Sequence, residues 1–284
     1  MKILHIGFGK TGTSFLQKEI FPQLSKKFNI PVINLNELYS IKKVQQIKYH
    51  PLENKDKIDM PRDFIISNEA LVGVNWEPYK FYRAFNENKR IFSKDTKIII
   101  YIRRPSEFFN SVYLQSIKLL NIKKQEDFFI NEENYSNKKN CYNVYGFSYV
   151  NLIKLYKSHF DSVYVEKYEN FNQFNVLKKI FNLNNEDICD FQKKNIINMS
   201  LTSFSVKTLF FLSNFFDLKK YDRFIRSKIS QKYNFKDKIL RNLMIRNIIN
   251  KLNNFIPSKK FKLSFKNFPI NISNLDKEYE DLKI

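Results

Sequence analysis

Near its start the chain carries an apolar β-type run, Lys2 to Ile6, that stops at a glycine. The next eight residues, Gly7-Phe8-Gly9-Lys10-Thr11-Gly12-Thr13-Ser14, place three glycines, one lysine and three hydroxyls in a single turn. From Thr13 a helical pattern begins, with Leu16, Ile20, Leu24 and Phe28 recurring at four-residue spacing as a stripe to pack on a sheet. A strand, a glycine loop and a helix in immediate succession leave few options. Loop N–H groups and the positive end of the helix dipole must converge at the strand's carboxyl end, which suits an anion. Further β-type runs at Pro31 to Leu35, Phe64 to Ser67, Lys97 to Ile102 and Ser162 to Glu166 alternate with turns and helical patterns. Pro105 suits a first helical turn. The alternation predicts an α/β fold, a parallel sheet flanked by helices.

Three kinds of phosphate loop compete for the glycine segment. A Walker A loop needs a lysine directly after its last glycine, but Thr13 follows Gly12, and Leu4 stands where the first glycine should be. The dinucleotide pattern G-x-G-x-x-G is met by Gly7, Gly9 and Gly12, with Glu37 near the distance expected of a ribose-binding acid. A Rossmann-type oxidoreductase is therefore one reading. A dinucleotide loop has no need of Lys10, Thr11, Thr13 and Ser14, which offer a cation and three hydroxyls to a highly charged group.

These residues resemble the sulfotransferase family, whose phosphosulfate loop reads close to P-K-[ST]-G-T-[TS] after the first strand. Gly9-Lys10-Thr11-Gly12-Thr13-Ser14 matches it with glycine in place of proline. A second motif agrees. Arg103 and Pro105 after the Lys97–Ile102 run, then Ser111 and Tyr113, resemble the family's R-x-P and S-x-Y elements for a 3′-phosphate. Val163 to Phe171 is similar to the family's late strand and Y-E-[DN]-[LF] corner, so the likeness covers roughly residues 1–215. It implies a P-loop NTPase-like three-layer sandwich and the donor 3′-phosphoadenosine 5′-phosphosulfate (PAPS). It further implies that Lys10 touches the donor's bridging oxygen and 5′-phosphate, that Thr11, Gly12, Thr13 and Ser14 hold its oxygens, and that Arg103 and Ser111 hold the 3′-phosphate. No metal is required by the resemblance, and the expected acceptor is a hydroxyl, most commonly of a glycan or glycolipid. No R-K-G type loop appears near the C-terminus; Asn198 and Ser200 are the only candidates for the adenine side.

Transfer to a hydroxyl needs a base. Glu69 is the expected one, because Phe64-Ile65-Ile66-Ser67-Asn68-Glu69 delivers a carboxylate just beyond a strand. Capping the next segment or pairing with a lysine is the alternative role for this side chain. His5 lies within the first strand and reads as a core histidine; His5, His50 and His159 show no ligand spacing. Trp76, Tyr79 and Tyr82 are candidates for a sugar-stacking wall or for core.

The 284 residues suffice for one domain, with a core over about residues 1–215 and a helical, basic extension over about 216–284 that includes a helical pattern from Lys238 to Asn253. The formal net charge of +21 favours polyanionic partners. Peripheral contact of the basic C-terminal helices with anionic membrane is one expectation, and no specific nucleic acid is expected. A non-catalytic basic module is the reading from a different functional class. Cys141 and Cys189 are far apart in sequence and read as reduced thiols. No apolar run reaches the length of a membrane span, and no export signal is read at the N-terminus, so a cytoplasmic location is expected.

Overall fold

A computed structural model describes residues 1–33, 61–73, 81–133, 141–187, 201–228, 245 and 259–284. Glu37, His50, Trp76, Tyr79, Cys189, Asn198, Ser200 and the Lys238–Asn253 pattern lie outside the described residues. The strands are β1 (Lys2–His5), β2 (Val32–Ile33), β3 (Phe64–Ser67), β4 (Lys97–Ile102), β5 (Phe129–Ile130), β6 (Tyr142–Asn143) and β7 (Val163–Lys167). The helices are α1 (Thr13–Phe15), α2 (Phe21–Phe28), α3 (Phe81–Ile91), α4 (Pro105–Lys118), α5 (Gln125–Phe128), α6 (Tyr149–Lys157), α7 (Asn175–Phe181), α8 (Ser203–Ser213), α9 (Leu218–Lys228) and α10 (Ile272–Asp281). A π-helical turn, Leu16–Ile20, joins α1 to α2.

The chain divides into two compact units. The first, residues 1–108, 130–196 and 269–284, holds a five-stranded sheet in the order β2-β3-β1-β4-β7, with every neighbouring pair parallel. This is the α/β sheet flanked by helices that the alternating pattern predicts. β4 is buried along Ile98–Ile102, as expected of a central parallel strand covered on both faces. Ile3, Ile65, Ile99 and Tyr101 face one side. They form a core with Leu16, Ile20 and Leu24 of the first helical run and with Leu177 and Ile180 of α7. The stripe read from four-residue spacing is thus the buried face, although the π turn was not foreseen. Elsewhere in this unit α3 and α6 are joined through Asn88, whose amide donates to the Tyr156 hydroxyl and the Leu71 carbonyl, both at 2.7 Å.

The second unit, residues 109–129 and 197–268, packs aromatic rings along α4 and α5. Phe109 meets Phe129 and Phe268, and Tyr113 meets Phe128 and Phe261. Asn110 Oδ1 accepts the Leu263 N–H at 3.0 Å. α8 begins at Thr202, whose hydroxyl caps the helix by accepting the Ser205 N–H. Among the described residues no helix is long and apolar enough to cross a membrane.

Candidate functional site

The strand order decides where a ligand can sit. From β1 the chain runs to β2 at one edge of the sheet, and from β4 it runs to β7 at the other. Neighbouring strands whose continuations part in this way open a crevice at their carboxyl ends, the usual ligand position in open α/β sheets. The loop Ile6 to Gly12 leaves β1 there, Arg103 and Arg104 leave β4, and Glu69 stands two residues beyond the end of β3. β3 and β4 flank β1 in register, with His5 opposite both Ser67 and Ile99. Three segments far apart in sequence thus end on one edge.

The loop is held from inside. Phe8 is fully buried, its ring edge-on to Phe81, Phe108 and Tyr149. Its carbonyl accepts the Thr11 hydroxyl at 2.6 Å and lies 3.3 Å from that of Thr13. The two threonine hydroxyls therefore shape the turn, while Ser14 is exposed. Two glycines are required by space. A Cβ on Gly7 would stand 2.6 Å from Thr13 Oγ1, and one on Gly12, at φ +81°, would stand 2.6 Å from the Phe171 ring. Lys10 itself adopts a left-handed φ of 72°, a conformation that costs a non-glycine residue about 1 kcal/mol or more. A strained lysine at the apex of an anion-type loop is an arrangement found more often at functional positions than at structural ones.

Lys10 and Glu69 influence each other electrostatically across the crevice. Burial pulls the Lys10 ammonium below its ordinary range, with the Glu69 charge opposing that effect and Arg103 adding to it. Burial pushes the Glu69 carboxyl up, opposed by Lys10 and by the Thr13 hydroxyl. No ion pair joins Lys10 to Glu69 among the described residues, and Lys10 makes no hydrogen bond there. The turn that begins at Glu69 is capped by its neighbour, since Asn68 Oδ1 accepts the Ala70 N–H at 2.9 Å. Capping is thus performed by Asn68, while the Glu69 carboxylate interacts with Lys10 and the Thr13 hydroxyl.

Arg103 lies over the Tyr168 ring, with its guanidinium carbon 5.0 Å from the centroid, and pairs with Glu107 at 3.1 Å. That i,i+4 pair has an exposed acid and is worth about 0.3–0.5 kcal/mol, little enough for a phosphate to displace. Arg104 is engaged differently, by Glu280 at 2.6 Å. At the start of α4 the Ser106 N–H donates to Asp276 at 2.9 Å, so α10 lays a carboxylate on that helix N-terminus. Ser111 sits further along α4, partly buried, in the second unit.

Sequence reasoning brought Lys10, Glu69 and Arg103 to one edge, and the structure places them there. It missed the anchoring role of Phe8, the Tyr168 platform under Arg103 and the contact of Phe171 with Gly12. The last two were present in the corner motif, which links the two loops. Nothing in the sequence signalled Asp276. Tyr82 is 62% exposed at the start of α3. Among the described residues no group of His, Cys, Asp or Glu is arranged to hold a metal.

His5 is fully buried against Phe21 and Tyr101, and its Nδ1 lies 2.7 Å from Ser67 Oγ. Burial lowers its pKa from 6.5 to about 3, so it is neutral at physiological pH. The unfolded chain binds a proton here between about pH 6.5 and 3 while the folded one does not. Stability contributed by neutral His5 is therefore complete above about pH 6.5 and declines by about 1.4 kcal/mol per pH unit below it. Urea midpoints from pH 7 to 4 should show this slope in the native protein and a slope smaller by about one proton in His5→Gln. Equal slopes would remove His5 from the acid response.

Comparison of the chain with protein-family models, with curated proteins and with solved structures returned no significant match.

Proposed function

We propose that this protein is a sulfotransferase that takes the sulfuryl group of PAPS and passes it to a hydroxyl of a carbohydrate, and that its sheet is of the P-loop NTPase-like kind. The observation that carries this reading is the meeting of Lys10, Glu69 and Arg103 at the carboxyl ends of three adjacent parallel strands, around a glycine loop. A cation without a hydrogen-bond partner among the described residues, a partly buried carboxylate and a guanidinium in a weak exchangeable pair fit a donor with phosphates at both ends. When bound, the donor supplies an activated sulfuryl group on a phosphate leaving group.

The chain's residues then have separate tasks. Lys10 Nζ neutralises charge that grows on the leaving phosphate oxygen, and its partial burial strengthens the interaction relative to water. Free N–H groups of the loop, together with Ser14, hold the terminal oxygens. Glu69 accepts the acceptor hydroxyl's proton, and a carboxyl raised by burial is a better base near neutral pH than an ordinary one. Arg103, held over the Tyr168 ring, turns two N–H groups to the 3′-phosphate in exchange for Glu107. No metal is needed in this scheme.

The dinucleotide reading is less well supported. In the Rossmann order the second strand lies beside the first, whereas here β3 separates β2 from β1.

The test is calorimetric titration with 3′-phosphoadenosine 5′-phosphate, its analogue lacking the 3′-phosphate, and NAD. The first nucleotide should bind most tightly. Arg103→Ala should weaken it by about tenfold or more while changing the analogue little, since a charge-assisted contact contributes roughly 1.5–3 kcal/mol. Tighter binding of NAD, or an equal loss for both adenosine nucleotides, would reject the assignment.

A further inference from the structure

The turn between α8 and α9 inverts the ordinary distribution of side chains. α8 buries Ser205, Val206 and Leu209, yet beyond them Phe211, Phe215 and Phe216 are 62%, 66% and 61% exposed. Isolated exposed apolar residues are common on proteins, but three phenylalanines at one helix–turn–helix tip form a patch. The turn is well ordered by hydrogen bonds. The Phe215 and Phe216 N–H groups both donate to the Leu212 carbonyl, and the Phe211 and Phe215 rings stand 5.1 Å apart.

Cations surround the tip. Lys207 lies one turn before Phe211 on the same exposed row, and Lys219, Lys220 and Arg223 follow in the first turns of α9, all exposed but Lys219, which is half-buried. Asp217 is the acid at the turn, and its carboxylate accepts the Lys220 N–H at 2.8 Å as the cap of α9. We propose that this tip docks on an anionic lipid bilayer, the three phenylalanines entering the headgroup boundary while the lysines and Arg223 face acidic headgroups.

Charge complementarity selects this occupant. Aromatic rings flanked by Lys and Arg are the composition of interfacial anchors. A second copy of the chain would bring the same cations and a formal charge of +21 against the patch. Duplex nucleic acid would satisfy the cations but leave the rings without an apolar environment. The inference rests on the second unit alone and does not depend on the reading of the glycine loop.

The full chain should co-sediment with phosphatidylcholine vesicles containing about 30 mol% phosphatidylserine and not with pure phosphatidylcholine. Part of the binding should survive physiological salt. Phe211→Ser/Phe215→Ser/Phe216→Ser should reduce the bound fraction at limiting lipid by about tenfold or more, with an unchanged thermal midpoint. Lys220→Glu/Arg223→Glu should reduce it as well, and should make the remainder less sensitive to salt. Absence of vesicle binding by the native chain would overturn the proposal. So would undiminished binding by the triple serine variant, or dimerisation or duplex binding that the serine changes abolish without effect on vesicles.

Discussion

Replacing Lys10 by methionine is expected to lower single-turnover sulfation from PAPS by about 10²- to 10³-fold, the range for removing one preorganised group from developing charge. Nucleotide affinity should fall less, because the ammonium matters most when the leaving oxygen becomes charged. Stability supplies the control. Burial disfavours the charged form of Lys10, so an uncharged side chain of similar length should not destabilise the fold. Loss of rate with an undiminished urea midpoint would mark Lys10 as a residue retained for chemistry. Normal turnover would end its assignment, and a parallel loss of rate and stability would make it a structural residue of the loop.

Glu69→Gln is the second large effect. It keeps the side chain's size while removing its capacity to accept a proton, and the rate should fall by about 10²-fold or more. Donor affinity should be nearly unchanged. The pH profile carries the sign. Because burial raises the Glu69 carboxyl, the native rate should decline as pH falls through that raised value, and the glutamine variant should lose this acid limb. A cap-like role would instead show as about 1 kcal/mol of lost stability with little change in rate, but Asn68 already performs the capping. Unchanged transfer would move the search to another base on the same edge. His5 is poorly suited, because burial penalises the imidazolium that a base must become.

The parts of the molecule visible in its sequence are those governed by local pattern. β4 reads as a run of isoleucines because both its faces are covered, and its bounds, Lys97–Ile102, coincide with the predicted ones. Leu16, Ile20 and Leu24 declare a buried face by spacing alone. Lys10, Glu69 and Arg103 could be grouped because parallel strands put their carboxyl ends on one edge. What stayed hidden depends on contacts between distant segments. Phe8 looks like any loop phenylalanine until the rings of Phe81, Phe108 and Tyr149 surround it. The threonines of the loop read as ligand donors, yet the Phe8 carbonyl draws the Thr11 hydroxyl inward. The short β5–β6 pair, two residues in each strand, has too little pattern to register.

The carboxylates that α10 sets against the start of α4 also bear on the order of events during synthesis. Ser106 and Asp276 are 170 residues apart, and Arg104 and Glu280 are 176 apart. Domains emerging from a ribosome generally fold from the N-terminal side, and long-range contacts are slow to form. While the intervening chain is still being made, the sheet can assemble around β1, but the Ser106 N–H at the start of α4 is left to water and Arg104 lacks Glu280. A chain that folds in this order would leave the Arg104 edge open until residues 269–284 arrive to close it.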